Sequence, residues 1–122
     1  MSALELNLPI LPPSINDLWC WSGKRVYNSP EYDRWLNDMG YIANAQKRGR
    51  TVSGPYALTV QLKRPNDKVK RDLDNFAAKA LSDLLKKIRA IDDDCYCEML
   101  GARWVTNGEG VYVRVQPAAV EA

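Results

Sequence analysis

Two aspartates separated by one residue, Asp72 and Asp74, are the first side chains here that could share a hard metal ion. In an extended segment both carboxylates project to the same side, whereas in a helix they would point roughly 200° apart. The pair therefore needs Asp72 to lie before the helix that follows, and Asp74 is a natural N-cap for that helix. An N-cap aspartate preceded by a loop aspartate is also a common helix start, so the pair alone leaves both interpretations open.

A second acidic run, Asp92 to Asp94, follows the same predicted helix. Adjacent like charges repel each other and a divalent cation would relieve that repulsion, although aspartate is also an ordinary turn residue. Lys79 lies five residues after Asp74, and helical side chains lean toward the N-terminus. Its ammonium group could therefore return over the carboxylates, or it could pair with Asp83 one turn further on.

Histidine and cysteine counts limit the chemistry further. The chain has no histidine, which excludes Ser-His-Asp, Cys-His and HExxH sites. Its three cysteines, Cys20, Cys95 and Cys97, are too few for a structural zinc site of about four ligands. We expect Cys95 and Cys97 to be small buried hydrophobic residues in a strand. Any hydrolase on this chain must use carboxylates, lysine and a hard metal ion.

Positive charge is concentrated in one part of a nearly neutral chain. The net charge is +2, yet residues 47–71 carry eight basic side chains and one acid, while residues 72–98 carry seven acids and four bases. A basic segment beside carboxylates suits a metal-dependent nuclease, although two ordinary solvated faces would give the same pattern. The candidates for contacting phosphates are Lys63, Arg64, Lys68, Lys70 and Arg71.

The spacing of apolar residues predicts one α+β domain over residues 1–122. Alternation predicts strands at 3–8 and 56–62, and a 3.6-residue period predicts helices after Ser29 and Asp74. Two further strands, at 95–105 and 111–116, flank a segment that is typical of a hairpin loop. The order is βαβαββ, with a mixed sheet of about four strands and two helices. No apolar run approaches the ~18 residues of a membrane span and the first residues lack a signal-peptide pattern, so a cytoplasmic protein is expected.

Four segments together resemble a known family. They are Pro12-Pro13-Ser14-Ile15-Asn16, Arg71-Asp72-Leu73-Asp74-Asn75, Lys79-Ala80-Leu81-Ser82-Asp83-Leu84-Leu85 and Asp93-Asp94. They resemble the RusA family of phage-derived Holliday-junction endonucleases over nearly the whole chain. The family's lysine lies six residues after its first aspartate, whereas Lys79 lies seven after Asp72, so one residue is inserted around positions 76–78. That insertion makes Asp94 the third catalytic carboxylate, whereas an ungapped alignment selects Asp93.

The resemblance implies a homodimeric endodeoxyribonuclease that resolves four-way DNA junctions by paired symmetric nicks during recombination and repair. It implies that Asp72, Asp74 and Asp94 hold Mg²⁺, which lowers the pKa of a bound water and neutralises charge on the phosphoryl oxygens. Lys79 would supply positive charge near that water or the scissile phosphate. We expect no small-molecule cofactor and no membrane partner.

Two alternatives remain at the level of the sequence. One is a dimeric protein that binds branched or duplex DNA without cutting it, and the other is an interaction domain with no role in nucleic-acid binding. The second would leave the basic segment and the acidic residues unexplained. Trp19 and Trp21 could stack on unpaired bases at a branch point, although we expect packing to be the role of each.

Overall fold

The computed structural model describes residues 3–66 and 70–118. A mixed sheet of four strands contains β1 (Leu4–Leu8), β4 (Tyr56–Lys63), β5 (Cys97–Val105) and β6 (Val111–Pro117), and a separate two-stranded sheet contains β2 (Trp19–Ser22) and β3 (Arg25–Asn28). The helices are α1 (Pro30–Lys47), α2 (Asp74–Ala77) and α3 (Lys79–Lys87), with short 3-10 turns at Ile15–Asp17 and Asp94–Tyr96. The α+β class and the mixed four-stranded sheet are as predicted.

One hydrophobic core lies between the four-stranded sheet and the helices. The strands β1, β4 and β6 alternate between buried and more exposed residues, and their register places Leu4, Val115 and Leu58 side by side on the buried face. Helix α1 packs against β1 and α3, and it buries Tyr32 and Met39 in the same core. This packing holds the ends of β4 and α3, where the predicted site residues lie.

Helix α1 begins after Ser29, as the sequence predicts. The Ser29 hydroxyl accepts a hydrogen bond from the Tyr32 backbone N–H at 3.1 Å, and Pro30 occupies the first helical position, where its missing N–H is not needed. At the other end Arg48 adopts the left-handed conformation, with φ 54°. Gly49, the next residue, also has a positive φ, at 75°.

The predicted hairpin between the last two strands is wrong. Strand β6 lies between β1 and β4 and is antiparallel to both, while β5 runs parallel to β4 at the edge of the sheet. The connecting segment therefore crosses the end of β4. There Gly110 approaches β1 so closely that a Cβ atom would lie 1.9 Å from the Leu8 carbonyl oxygen. The turn residues between β5 and β6 thus form a connection across the end of β4 and not a hairpin loop.

Three further expectations need correction. The predicted second helix is interrupted at Ala78, whose φ of −124° separates α2 from α3. The predicted order βαβαββ has no strand between the first strand and the first helix, but that segment contains the β2–β3 hairpin. Cys95 is exposed in a 3-10 turn instead of buried in a strand, while Cys97 is half-buried at the start of β5.

Within the described part of the chain, no helix has the length and apolarity that crossing a membrane requires.

Candidate functional site

A cleft of about 530 Å³ brings together two of the segments that the sequence singled out. Pro12, Pro13 and Ser14 form one part of its lining, and residues 70–72 and 75–76 form another. Residues 70–72 lie in the sequence between the end of β4 at Lys63 and the start of α2 at Asp74. The cleft therefore combines three acidic residues, Asp17, Glu31 and Asp72, with two basic residues, Lys70 and Arg71.

Asp72 and Asp74 also border a second, smaller cleft of about 400 Å³. Leu73, Ala78 and two residues of β5 complete its lining. The predicted N-cap role of Asp74 is wrong: the Leu73 backbone is already helical, with φ −57° and ψ −42°, and Asp74 is the first residue of α2. The two aspartates are thus not in an extended segment, but both remain exposed at the edge of the same cleft.

Lys79 pairs with Asp83 in the alternative arrangement that helical spacing allows. Its Nζ lies 2.9 Å from Asp83 Oδ1, one turn toward the C-terminus of α3. The other oxygen of Asp83, Oδ2, accepts a 2.5 Å hydrogen bond from the buried Tyr32 hydroxyl of α1. Burial, followed by the hydrogen bond to Asp83, raises the pKa of Tyr32 well above its usual range. Asp83 therefore fixes Lys79 to a site that α1 also holds.

The three adjacent aspartates have three different partners. Asp92 Oδ2 accepts a 2.9 Å hydrogen bond from the Gly54 backbone N–H, and Asp93 Oδ1 accepts one of 2.7 Å from the Asp94 backbone N–H. Hydrogen bonding with Asp94, from its side chain first and then from its backbone, holds the pKa of Asp93 below its usual range. Asp94 Oδ2 lies 3.7 Å from Lys86 Nζ. Asp92 and Asp93 thus serve the local backbone, and Asp94 faces a lysine of α3.

Lys86 connects Asp94 to the network around Lys79, because its Nζ also lies 3.9 Å from Asp83 Oδ1. The structure thereby places Lys79 and Asp94 in one chain of ion pairs, while Asp72 and Asp74 lie at the cleft beside α2. Among residues 3–66 and 70–118, no group of three or more carboxylate or thiol side chains is arranged to hold a metal ion. The three predicted carboxylates are accordingly not gathered into one cluster.

The predicted phosphate-binding residues divide into two groups. Lys70 and Arg71 border the 530 Å³ cleft with Asp72, and Lys70 is exposed. Lys63 donates a hydrogen bond to the Thr106 carbonyl oxygen, and the Arg64 guanidinium lies 5.3 Å from the centre of the Trp104 ring. Lys68 lies outside the described residues.

The basic segment of residues 47–71 does not form one surface. Arg48 and Arg50 border a separate cleft of about 930 Å³ beside β1 and the end of α1, and Lys47 is buried. Lys70 and Arg71 follow the opposite end of β4. Eight residues of strand at about 3.3 Å each separate the two ends by roughly 25 Å. The basic residues at positions 48 and 50 therefore do not lie beside Asp72, as a single basic segment next to the carboxylates would require.

Sequence reasoning missed the aromatic residues beside this site. Phe76 of α2 borders the 530 Å³ cleft, and its ring meets the Trp104 ring edge-on with centroids 5.8 Å apart. Trp104 in turn lies beneath Arg64. The i,i+4 spacing indicated the Lys79–Asp83 pair, but no local signal in the sequence could have placed Tyr32 on Asp83, because the contact spans 51 residues.

These features define a small α+β domain with acidic and basic side chains at one cleft. Residues 9–116 match the family model described as endodeoxyribonuclease RusA, and the chain belongs to that family. Membership implies an endodeoxyribonuclease with Holliday-junction resolvase activity. Among curated proteins, none matches the chain.

Proposed function

We propose that this protein is a Mg²⁺-dependent, homodimeric endonuclease that resolves four-way DNA junctions by paired symmetric nicks during recombination and repair, in the cytoplasm. The observation that carries the proposal is the 530 Å³ cleft, where Asp72 lies with Lys70 and Arg71. Such a cleft offers carboxylates to a cation and positive charge to the phosphates on either side of the bond to be cut. Membership of the endodeoxyribonuclease family supports the same reaction.

The carboxylates of Asp72 and Asp74 fit the needs of a magnesium ion. Mg²⁺ prefers oxygen ligands and is commonly held by one or two carboxylates, with water and substrate phosphate oxygens in its other positions. Both aspartates are exposed and border one cleft, so phosphate oxygens can approach them. When bound there, the ion would lower the pKa of a water molecule and neutralise charge on the phosphate.

Asp94 and Lys79 are the remaining residues of the proposed catalytic set. Asp94 is the better candidate of the adjacent acids, because Asp92 and Asp93 are bonded to backbone N–H groups. Lys79 would supply positive charge to the phosphate. Lys79 pairs with Asp83 and Asp94 pairs with Lys86. Both ion pairs would have to break when DNA and the metal ion bind.

Lys70 and Arg71 are proposed to bind phosphates at the cleft, together with Lys68, Lys63 and Arg64. Contacts to phosphate position DNA without reading its sequence, which suits an enzyme that recognises branch shape. Two nicks placed symmetrically across a junction require two sites related by a two-fold axis, and a homodimer supplies them.

The direct test uses the full chain and a synthetic four-way junction labelled on each strand in turn. With Mg²⁺ we expect nicks at symmetric positions on two opposing strands, and none on a linear duplex of the same sequence. Replacing Mg²⁺ by Ca²⁺ should preserve binding and abolish the nicks.

A non-catalytic junction-binding protein is the second candidate, favoured by the lack of a three-carboxylate group among the described residues. Junction binding without cleavage under any divalent cation would support it and contradict the nuclease.

A further inference from the structure

The β2–β3 hairpin presents large aromatic side chains to solvent. Trp21 is 73% exposed, Trp19 is 40% exposed and Tyr27 is 50% exposed. This contradicts the expectation that the two tryptophans are packed inside the protein. Exposed tryptophan is costly in water because of its large apolar surface, so the hairpin is expected to have a partner.

The strand register places the two tryptophans on one face of the hairpin. Trp19 pairs with Asn28 and Trp21 pairs with Val26, and side chains two residues apart on a strand point the same way. Trp19 and Trp21 therefore lie side by side, about 7 Å apart along the strand. This distance between the two tryptophans is roughly that between two bases that have been separated by the width of one more base. It therefore suits stacking on nucleotides that are splayed apart.

The charge of the hairpin is entirely positive. Lys24 follows Gly23 in the connecting turn, and residues 19–28 contain no acid. Arg25 opens β3 opposite Ser22, on the other face of the hairpin from the two tryptophans. A polyanion with flat apolar rings is the complementary partner, because bases stack on aromatic side chains while basic residues contact the phosphates.

The base of the hairpin is fixed beside the proposed active site. The Ser29 backbone N–H bonds the Leu18 carbonyl oxygen at 2.8 Å, and the Ser29 hydroxyl donates to the Asp17 carbonyl oxygen at 2.7 Å. The turn Ile15–Asp17, immediately before the hairpin, packs against α2, and Asp17 borders the same cleft as Asp72. The hairpin therefore projects from the wall of that cleft.

We propose that the β2–β3 hairpin is a binding site for unpaired nucleobases, with Trp21 and Trp19 as the stacking surface and Lys24, in the connecting turn, as a phosphate contact. This rests on the proposed function for the presence of DNA at the neighbouring cleft. It adds a reason for selecting branched DNA, since bases are accessible where strands separate and inaccessible inside a duplex.

The test compares Trp21→Ala, Trp21→Phe and the unchanged protein for binding to single-stranded oligothymidine and to duplex DNA, in Ca²⁺. Loss of base stacking should weaken single-strand binding by about 5- to 100-fold in Trp21→Ala, with partial recovery in Trp21→Phe. Duplex binding should change less than twofold. Tyr41→Ala removes an exposed ring from α1, 83% exposed, and should leave both affinities unchanged.

Unchanged single-strand affinity in Trp21→Ala would overturn the proposal. A change in sedimentation coefficient in Trp21→Ala, with no effect on DNA, would instead assign the hairpin to contacts between copies and would also overturn it. Thermal unfolding checks that each variant is folded. These assays need no cleavage, so they test the hairpin separately from the nuclease. If the protein cuts no junction but Trp21→Ala weakens single-strand binding, the nuclease proposal fails and the hairpin proposal stands. If the protein cuts junctions and Trp21→Ala leaves single-strand binding unchanged, the hairpin proposal fails and the nuclease proposal stands.

Discussion

At the residue scale, Asp72 and Asp74 differ from three other aspartates whose carboxylates support the fold in the described part of the chain. Asp83, Asp92 and Asp93 each accept a hydrogen bond that supports the fold, from Tyr32 in the first case and from backbone N–H groups in the other two. Asp72 and Asp74 are exposed at a cleft. An exposed carboxylate that supports no other part of the fold can bind a cation without breaking a structural contact.

Asp72→Asn and Asp74→Asn should therefore separate catalysis from stability. Asparagine keeps the size of the side chain and removes the charge that binds a cation, so junction cleavage should fall by orders of magnitude. Junction binding in Ca²⁺ and the free energy of unfolding should be nearly unchanged. Cleavage rates and urea unfolding of the two variants supply the check, and full cleavage by Asp72→Asn would contradict the metal-site proposal.

Asp93 and Asp94 can be distinguished in the same way. Asp94→Asn should lower cleavage strongly if Asp94 is the third carboxylate. Asp93→Asn should retain most activity, because asparagine can also accept the hydrogen bond from the Asp94 backbone N–H, while Asp93→Ala loses that bond and should be slightly less stable. If Asp93→Asn is inactive and Asp94→Asn is active, the inserted residue does not lie at positions 76–78. The assignment of Lys79 as the catalytic lysine would then lose much of its support. Single-turnover cleavage and denaturant unfolding measure the two effects.

At the scale of elements, the contact between Tyr32 and Asp83 joins α1 to α3 and holds Lys79 on the second helix. Asp83→Ala leaves the buried Tyr32 hydroxyl without its acceptor, which should cost about 1–3 kcal/mol. Asp38→Ala, an exposed acid of α1, should change stability by about 0.5 kcal/mol or less. Urea unfolding of both variants provides the comparison, and equal stability would show that the contact contributes nothing.

The same contact predicts a loss of stability in alkali. The pKa of Tyr32 is raised in the folded protein, by burial first and then by Asp83, so the unfolded chain loses this proton at lower pH than the folded chain does. Stability is thus retained below about pH 10, the usual pKa of tyrosine, and falls as the pH rises above it. Tyr32→Phe should reduce the slope of stability against pH between about pH 10 and 11. Buried Tyr56, whose pKa is also raised by burial, should account for part of the remaining slope.

Elements that follow from local residues were predictable, and those that depend on distant pairing were not. Ser29, Pro30 and the apolar stripe define α1 within a few residues of each other, and the alternation in β4 is equally local. The pairing of β6 with β1 and β4 depends on contacts across most of the chain, so the turn before β6 gave a wrong hairpin. The insertion inferred at positions 76–78 coincides with the helix interruption at Ala78, a position where an extra residue can be accommodated.

In the candidate site, too, the features set by local spacing were predictable and those set by distant packing were not. The spacing of Asp72, Asp74 and Lys79 was visible in the sequence, and so was the possible pair between Lys79 and Asp83. What spacing could not show is that Asp94 is paired with Lys86 instead of joining the other two carboxylates. That arrangement depends on where the chain returns after α3, which is decided by packing.

For the whole molecule, the separation of the basic residues gives a matched test of DNA binding. Each phosphate contact lowers log affinity by about 0.7–0.9 per unit of log salt concentration. Changing Lys68 and Lys70 to Ala should flatten that slope by roughly one to two units, or twice that if a dimer presents both copies. Changing Arg48 and Arg50, at the other end of the sheet, should leave it unaltered. A salt series in Ca²⁺ measures both, and equal slopes in the two double variants would place the DNA elsewhere.

The two edges of the four-stranded sheet differ in a way that bears on the proposed homodimer. At the β1 edge, the Gln46 side-chain amide bonds both the N–H and the carbonyl of Asn7, at 2.7 and 2.8 Å. At the β5 edge, Met99 is 68% exposed and Leu100 is 47% exposed, and the outer side of this strand pairs with no strand in the described part of the chain. Long apolar edges are usually covered or paired, which favours β5 as the place where a second copy adds to the sheet.

Met99→Lys should therefore weaken the dimer. A lysine on an edge strand opposes strand addition because its ammonium group must stay hydrated, and we expect the dissociation constant to rise roughly tenfold or more, equivalent to about 1.4 kcal/mol. Tyr41→Lys introduces the same charge on the exposed face of α1 and should have no effect. Sedimentation over a range of protein concentrations measures both variants. Paired nicking needs two active sites, so the monomeric variant should also lose it. Leu100, the neighbour of Met99, borders the cleft of Asp72 and Asp74, so the proposed interface lies close to the active site. A Met99→Lys protein that stays dimeric and nicks in pairs would place the interface on another surface.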